Sequence, residues 1–222
     1  METKIQLEVK LPVTVHATQE KFEGPDRTFV LLHGYGETKE RIKRKLLETV
    51  KPFGNEVITV NAPFPIPILT EKGTKEAYSW FFRSRRLGVT LADPSVNQAV
   101  FSGLVSELSL RSRKCILIGF SQGGMVLPIL ARELPQVEAM IAISIGIDES
   151  DLGQSPGVPL HIIHGNSDSQ SDLNFAREEF AKLRAEHALS SFVEVEGGHD
   201  IDPVKLDAVR SILERLDQGV RP

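Results

Sequence analysis

Hydrophobic positions along this chain fall into two kinds of segment that take turns. The first kind is a short, unbroken apolar run rich in β-branched residues. Such runs occur at Thr28-Phe29-Val30-Leu31-Leu32, Val57-Ile58-Thr59-Val60, Lys114-Cys115-Ile116-Leu117-Ile118, 139–145, Leu160-His161-Ile162-Ile163 and Phe192-Val193-Glu194-Val195. Runs this short, without polar alternation, predict strands buried on both faces. The second kind is longer and spaces its apolar residues helically. Ile42, Leu46, Leu47 and Val50 predict a helix over 37–50, and Val96, Val100, Leu104 and Leu108 another. Met125, Leu127, Ile129, Leu130 and Leu134 predict a third, which Pro128 should kink. Leu173, Ala176, Phe180 and Leu183 mark a helix to about 187, and Leu206, Val209, Leu213 and Leu216 one that stops near Gly219. Asp93-Pro94 and Asp202-Pro203 supply the cap and first-turn proline of two of these helices.

Strands that alternate with helices predict an α/β fold: a mostly parallel central sheet flanked by helices on both faces. The expected organisation is one domain over residues 1–222, with no room for a large lid domain. Two stretches depart from the rhythm. Residues 3–18 alternate (Ile5, Leu7, Val9, Leu11, then Val13 and Val15 after Pro12), which predicts two half-buried antiparallel edge strands. Residues 62–88 interleave Pro63, Pro65 and Pro67 with Phe64, Ile66 and Ile68, then continue with Tyr78-Ser79-Trp80-Phe81-Phe82. A long stretch with no clear period and much apolar content is expected to be a functional loop.

Composition narrows the function classes. A net charge of -4 gives nothing that would draw in nucleic acid or an anionic membrane. The first residues carry no signal-peptide core and no run approaches a membrane span, so a soluble cytoplasmic protein is expected. The single Cys115 lies mid-strand, where a thiol is neither exposed nor activated. The histidines are scattered, with no close ligand spacing, so neither a metal nor any other cofactor is expected.

Candidate chemistry gathers where predicted strands end, since ligands of open parallel sheets sit beyond the carboxyl ends of the strands. Those ends are His33-Gly34-Tyr35-Gly36, Gly119-Phe120-Ser121-Gln122-Gly123-Gly124, His164-Gly165-Asn166-Ser167-Asp168 and Gly197-Gly198-His199-Asp200. A serine between a buried strand and a helix, with glycine two residues to either side, has the context of a nucleophile elbow. Ser121, Asp168 and His199 follow one another in the order of an α/β-hydrolase triad. Ser121 would be the nucleophile, His199 its base and Asp168 the carboxylate that orients the imidazole. Asp172, Asp148 and Asp151 are alternatives for the acid, Asp172 also being a candidate helix cap. Asp200 and Asp202 are expected to face solvent and to cap a helix. The backbone N–H groups of Gln122 and Tyr35 are the expected oxyanion donors, and Tyr35, Trp80 and the 63–70 loop the expected walls of an open cleft. His33 and His164 are expected to be structural. The basic face of Lys39, Arg41, Lys43, Arg44 and Lys45, and the Arg83, Arg85, Arg86 cluster, are expected to be solvated.

The strand ends quoted above, together with Leu31-Leu32 and Tyr78-Ser79-Trp80-Phe81, resemble the phospholipase/carboxylesterase branch of the α/β-hydrolases over roughly 28–216. That branch includes the acyl-protein thioesterases and small bacterial carboxylesterases. The resemblance implies an α/β-hydrolase fold and a serine esterase acting on a small-molecule ester through an acyl-enzyme. Acyl-protein or acyl-CoA thioesterase and lysophospholipase activities are the alternatives, and a non-catalytic ligand-binding homologue lies further off. The chain departs from the family pattern at Ser169-Gln170-Ser171, where a proline and apolar residues usually help line the acyl site. Substrate preference is therefore left open, as is oligomeric state.

Overall fold

A computed structural model describes residues 13–71, 73–84, 89–92, 94–145, 157–186 and 189–219. Its core is a seven-stranded sheet. The strands are β1 (Ala17–Lys21), β2 (Thr28–Leu32), β3 (Glu56–Val60), β8 (Cys115–Phe120), β9 (Val137–Ile143), β10 (Leu160–Gly165) and β11 (Ser191–Val195), in the spatial order β1-β3-β2-β8-β9-β10-β11. Only the β1–β3 pair is antiparallel. The unbroken apolar runs are buried along their whole length in β2, β3, β8 and β10, because helices cover both sides.

Alternate residues of each strand feed two cores. Phe29, Leu31, Ile116, Ile118, Ile141 and Ile143 pack against α1 (Lys39–Val50) and α6 (Pro203–Asp217). Val30, Leu32, Leu117, Met140 and Ala142 pack against α2 (Asn97–Glu107) and α4 (Leu127–Glu133), with Phe180 of α5 (Leu173–Glu186) in the same cluster. The chain winds in opposite senses from β2 and from β8, so their carboxyl ends form the crevice where loops can converge.

Several elements differ from the sequence expectation. Residues 1–12, and with them the first expected edge strand, lie outside the described residues; the second strand lies at Ala17–Lys21 rather than around Val13 and Val15. Four of its five residues are polar, and they are only alternately half-buried, so no apolar pattern marks it. The described part of the 62–88 stretch forms antiparallel ribbons rather than a loop: β4 (Phe64–Thr70) pairs with β5 (Gly73–Ser79), and β6 (Phe82–Ser84) with β7 (Val89–Ala92), which lies just beyond it. Pro65 and Pro67 alternate outward from the partly buried Phe64, Ile66 and Ile68, and a ribbon of two strands tolerates proline because each strand is an edge.

The helix after Ser121 begins three residues before the expected Met125 and is broken in two. Short α3 (Gln122–Met125) ends at Val126, and Pro128 opens α4 in its first turn, where the missing N–H removes no helical bond. In α2 the buried face is Asn97, Phe101, Leu104 and Val105, while Val96 is exposed, because a 3₁₀ turn over Pro94–Val96 precedes the helix and shifts its frame. Asp93 lies outside the described residues. Asp202 caps α6 by accepting from the Lys205 amide, and Pro203 follows in the first turn.

Candidate active site

Ser121 leaves β8 at φ 49°, ψ -122°, a conformation that strains any residue with a β-carbon. Sterics explain why glycine flanks it. A β-carbon on Gly119 would lie 2.5 Å from the Gly123 oxygen, and one on Gly123 would lie 2.4 Å from the Leu32 oxygen. The strand and helix therefore close to backbone contact, and the serine hydroxyl is pushed out above the sheet.

Two other strand exits meet it there. The Ser121 Oγ lies 2.9 Å from His199 Nε2. On the other side of the ring, His199 Nδ1 lies 2.8 Å from Asp168 Oδ2 and 3.0 Å from Oδ1. The Asp168 side chain is fully buried and the His199 side chain is 11% exposed. Burial alone would raise the Asp168 pKa, but the Ser171 amide, His199 and the Gln170 amide all stabilise its anion, and the net shift is downward. Both amides donate to Oδ1 at 2.9 Å, so the nearer oxygen to the imidazole, Oδ2, has His199 as its partner.

The rival acids are otherwise engaged or outside view. Asp172 Oδ1 accepts from the Phe175 amide at 2.8 Å and caps α5, while Asp148 and Asp151 lie outside the described residues. Asp200 does more than face solvent: it pairs with Lys45 at 3.1 Å and Arg41 at 3.7 Å. The basic face of α1 is accordingly tied down rather than simply solvated, since Lys39 pairs with Glu40, Lys43 with Glu20 and Arg41 with Glu37. Of the arginine cluster, Arg83 belongs to β6, and Arg85 and Arg86 lie outside the described residues, as does His187.

The two expected oxyanion donors have a common feature. Gln122 is the first residue of α3, and among the described residues its amide has no acceptor. In the loop after β2 the Gly34 amide donates to Glu37 Oε2 at 3.1 Å and the Gly36 amide to the Tyr78 oxygen at 3.0 Å. The Tyr35 amide between them has no acceptor among the described residues.

Beneath that loop lies a buried scaffold. Trp80, expected on the cleft wall, is instead 0% exposed. Its indole Nε1 donates to the His33 oxygen at 2.8 Å, and its ring packs on His33 and Phe101. An aromatic ring this large is most stably placed where its apolar faces are covered and its N–H is bonded; Phe81, next in the chain, lines the cleft in its place. The 63–70 segment does not line it either. As β4 it backs the loop, with Ile68 against Gly36.

His33 accepts from the Ala62 amide at Nε2, 3.0 Å, and its Nδ1 faces the Gly34 oxygen at 2.7 Å. Burial lowers its pKa to about 4, so it stays a neutral structural ring. His164 is likewise buried, between the Gly165 oxygen and the Ser171 hydroxyl. Cys115 is buried, and that burial pushes its thiol up to about 11.

Three supporting groups had no signal in the sequence. The Gln122 side chain accepts from the Trp80 amide at 2.8 Å and donates to the Phe81 oxygen at 2.8 Å, tying the elbow to the strand ribbon. Lys205 is fully buried, and its ammonium donates to the Gly198 oxygen at 2.7 Å and to Asp202 at 2.9 Å, anchoring the residue before His199. Glu37, read as the start of a helix, holds Gly34 instead. Each depends on a partner distant in the chain or on a turn that places it, which residue type alone does not announce.

Two clefts flank the Ser121–His199 pair. The larger, about 640 Å³, is lined by Phe81, Met125, Ile145 and Phe175 and also by Ser144, Gln170, Ser171 and Asp172. The smaller, about 310 Å³, is lined by Tyr35, Glu37, Arg41 and Lys75, and Tyr35 is 57% exposed. Among the described residues no group of three His, Cys, Asp or Glu side chains could hold a metal ion, and no helix is long and apolar enough to cross a membrane.

A mostly parallel sheet, a strained serine on a strand-to-helix turn and no separate lid among the described residues define an α/β-hydrolase. Over residues 14–216 the chain matches the phospholipase/carboxylesterase family model, and it belongs to that family, whose members are carboxylic ester hydrolases. Among solved structures it is similar to esterase PE8, with 23% identity, TM-score 0.72, and coverage of 91% of this chain and 99% of that one. It is also similar to acyl-protein thioesterase 2 of Zea mays (18% identity, TM-score 0.66, 94% and 99% covered). A carboxylesterase of Bacillus cereus follows at 15% identity and TM-score 0.63, with 92% and 94% covered. At these identities the likeness is one of fold. No curated protein sequence matches the chain.

Proposed function

We propose that this protein is a serine carboxylesterase that hydrolyses small to medium carboxylic esters through an acyl-enzyme on Ser121. The observation that carries the reading is the continuous chain of contacts from the Ser121 hydroxyl through His199 to Asp168, at 2.9 and 2.8 Å. Ser121 Oγ attacks the ester carbonyl carbon while His199 Nε2 takes its proton, and Asp168 stabilises the imidazolium that forms. The carbonyl oxygen becomes an oxyanion between the Gln122 and Tyr35 amides, which need no reorganisation to receive it. His199 then protonates the departing alkoxide. In the second half a water gives its proton to His199, attacks the acyl carbon and releases the acid and Ser121.

The cleft walls suit a substrate of modest size: Tyr35 contributes on the side of the departing alcohol, and Phe81, Met125, Ile145 and Phe175 contact the acyl group. The same acyl-enzyme would form from a thioester, so kcat/KM for matched oxygen and sulfur esters across acyl lengths assigns the leaving group. A fluorophosphonate probe should label Ser121, as mapped by mass spectrometry, and Ser121→Ala should abolish both labelling and turnover of p-nitrophenyl acetate and butanoate. Retained turnover removes Ser121 as the nucleophile. His199→Ala should likewise remove turnover while leaving the protein folded, and retained turnover removes His199 as the base.

A further inference from the structure

Two residues of the site leave the sheet with a backbone that side chains resist, and the mechanism uses only one. Ser121 is the first. The other is Ser144, immediately after β9, at φ 57° in the left-handed region. It is 1% exposed, it lines the larger cleft, and among the described residues its hydroxyl has no hydrogen-bond partner. A buried hydroxyl with nothing to bond is unfavourable, and such an orphan beside a reaction centre is best explained by a ligand group that completes it.

Its neighbourhood says which part of a substrate it would meet. Phe120 pairs with Ile143, and the Ser121 amide donates to the Ile143 oxygen at 2.9 Å, so Ser144 stands beside Ser121 as the two strands end. Neighbouring strands lie about 5 Å apart, which puts the Ser144 hydroxyl near the first few carbons of a group bound to Ser121. The larger cleft carries the apolar walls and suits an acyl group, whereas the smaller one, with Glu37, Arg41 and Lys75, suits a polar alcohol portion. Of the other polar residues of the acyl wall, the Ser171 hydroxyl is engaged by His164 and the Asp172 carboxylate caps α5, while Gln170 is exposed and so carries no buried unmet hydrogen bond.

We propose that the Ser144 hydroxyl is a specificity-determining group that hydrogen-bonds a hydroxyl on carbon 2 or 3 of the acyl chain. Preferred substrates are then esters of short hydroxy acids rather than of plain alkanoic acids. The proposal rests on the esterase reading above.

Its test compares kcat/KM for matched aryl esters of butanoic, 2-hydroxybutanoic and 3-hydroxybutanoic acids in the wild-type protein, Ser144→Ala and Ser144→Gly. Both variants delete the hydroxyl, and the glycine form also relieves the left-handed backbone, which separates the two effects. Because intrinsic reactivity cancels in the comparison, one hydroxy ester should be favoured about tenfold more by wild type than by either variant. An unchanged ratio overturns the proposal. Failure of every ester together with absent fluorophosphonate labelling of Ser121 would fell the esterase reading, and this inference with it. Turnover and labelling with an unchanged ratio would fell the inference alone.

Discussion

Replacing Asp168 by asparagine changes one atom of the carboxylate that contacts His199, and the surrounding bonds dictate how the new side chain must sit. The Gln170 and Ser171 amides both donate to Oδ1 at 2.9 Å, so that position has to remain an oxygen. The amide nitrogen is thereby forced into the Oδ2 position, 2.8 Å from His199 Nδ1. Nδ1 lies 3.0 Å from the retained oxygen but 2.8 Å from the new amide nitrogen, and accepting from that nearer donor moves the ring proton to Nε2, the atom that faces the Ser121 hydroxyl at 2.9 Å. The imidazole then presents a proton where it should take one. Loss of the correct tautomer in a serine triad is worth about 10⁴ in kcat, or roughly 5.5 kcal/mol of transition-state stabilisation. The fold should survive, because the side chain keeps its shape and both backbone bonds. The assay is steady-state kcat on p-nitrophenyl butanoate at neutral pH, beside a melting curve to show that the variant is folded. A folded Asp168→Asn protein that keeps more than about a tenth of wild-type kcat would refute the idea that this carboxylate sets the tautomer.

Lys205→Met should lower Tm by several degrees, since the Gly198 oxygen and the partly exposed Asp202 carboxylate lose a charged hydrogen-bond donor worth about 1.5–3 kcal/mol; kcat should fall more than KM changes because the His199 loop loses its anchor. A Tm within experimental error of wild type would mean that the ammonium contributes nothing net. Gly123→Ala should yield little folded protein, because its β-carbon would lie 2.4 and 2.5 Å from two backbone oxygens, and a soluble variant with normal activity would contradict that packing. Acid should destabilise the protein in a defined window. Asp168, Asp200 and Asp202 all have folded pKa values below the ordinary carboxylate value, held there against burial by their amide and cationic partners. The stability they lend is complete above the unfolded value of about 3.9 and is lost as pH falls through the lower folded values. Tm should therefore fall steeply below about pH 4, and a Tm unchanged between pH 5 and 3 would show that these bonds carry no stability.

The strand-and-helix rhythm was legible because burial on both faces demands unbroken apolar runs, and β2, β3, β8 and β10 have them. The elbow was legible for a comparable reason: backbone contact at Gly119 and Gly123 excludes every side chain, so the constraint is written in residue type. Strand β1 and the proline ribbon were not, since a polar edge strand and a pair of edges place few demands on their residues.

The sequence by itself determined which strand ends carry the candidate side chains, because unbroken apolar runs and glycine turns are local properties. Only the tertiary structure decided what each of them touches. That Asp168 faces His199 while Asp172 caps a helix, that Trp80 lies under the loop while Phe81 lines the cleft, and that Ser144 has a buried hydroxyl without a partner all depend on residues brought together from distant parts of the chain. Hydrogen bonds and close packing act over a few ångströms in space, and a linear pattern records spacing along the chain only.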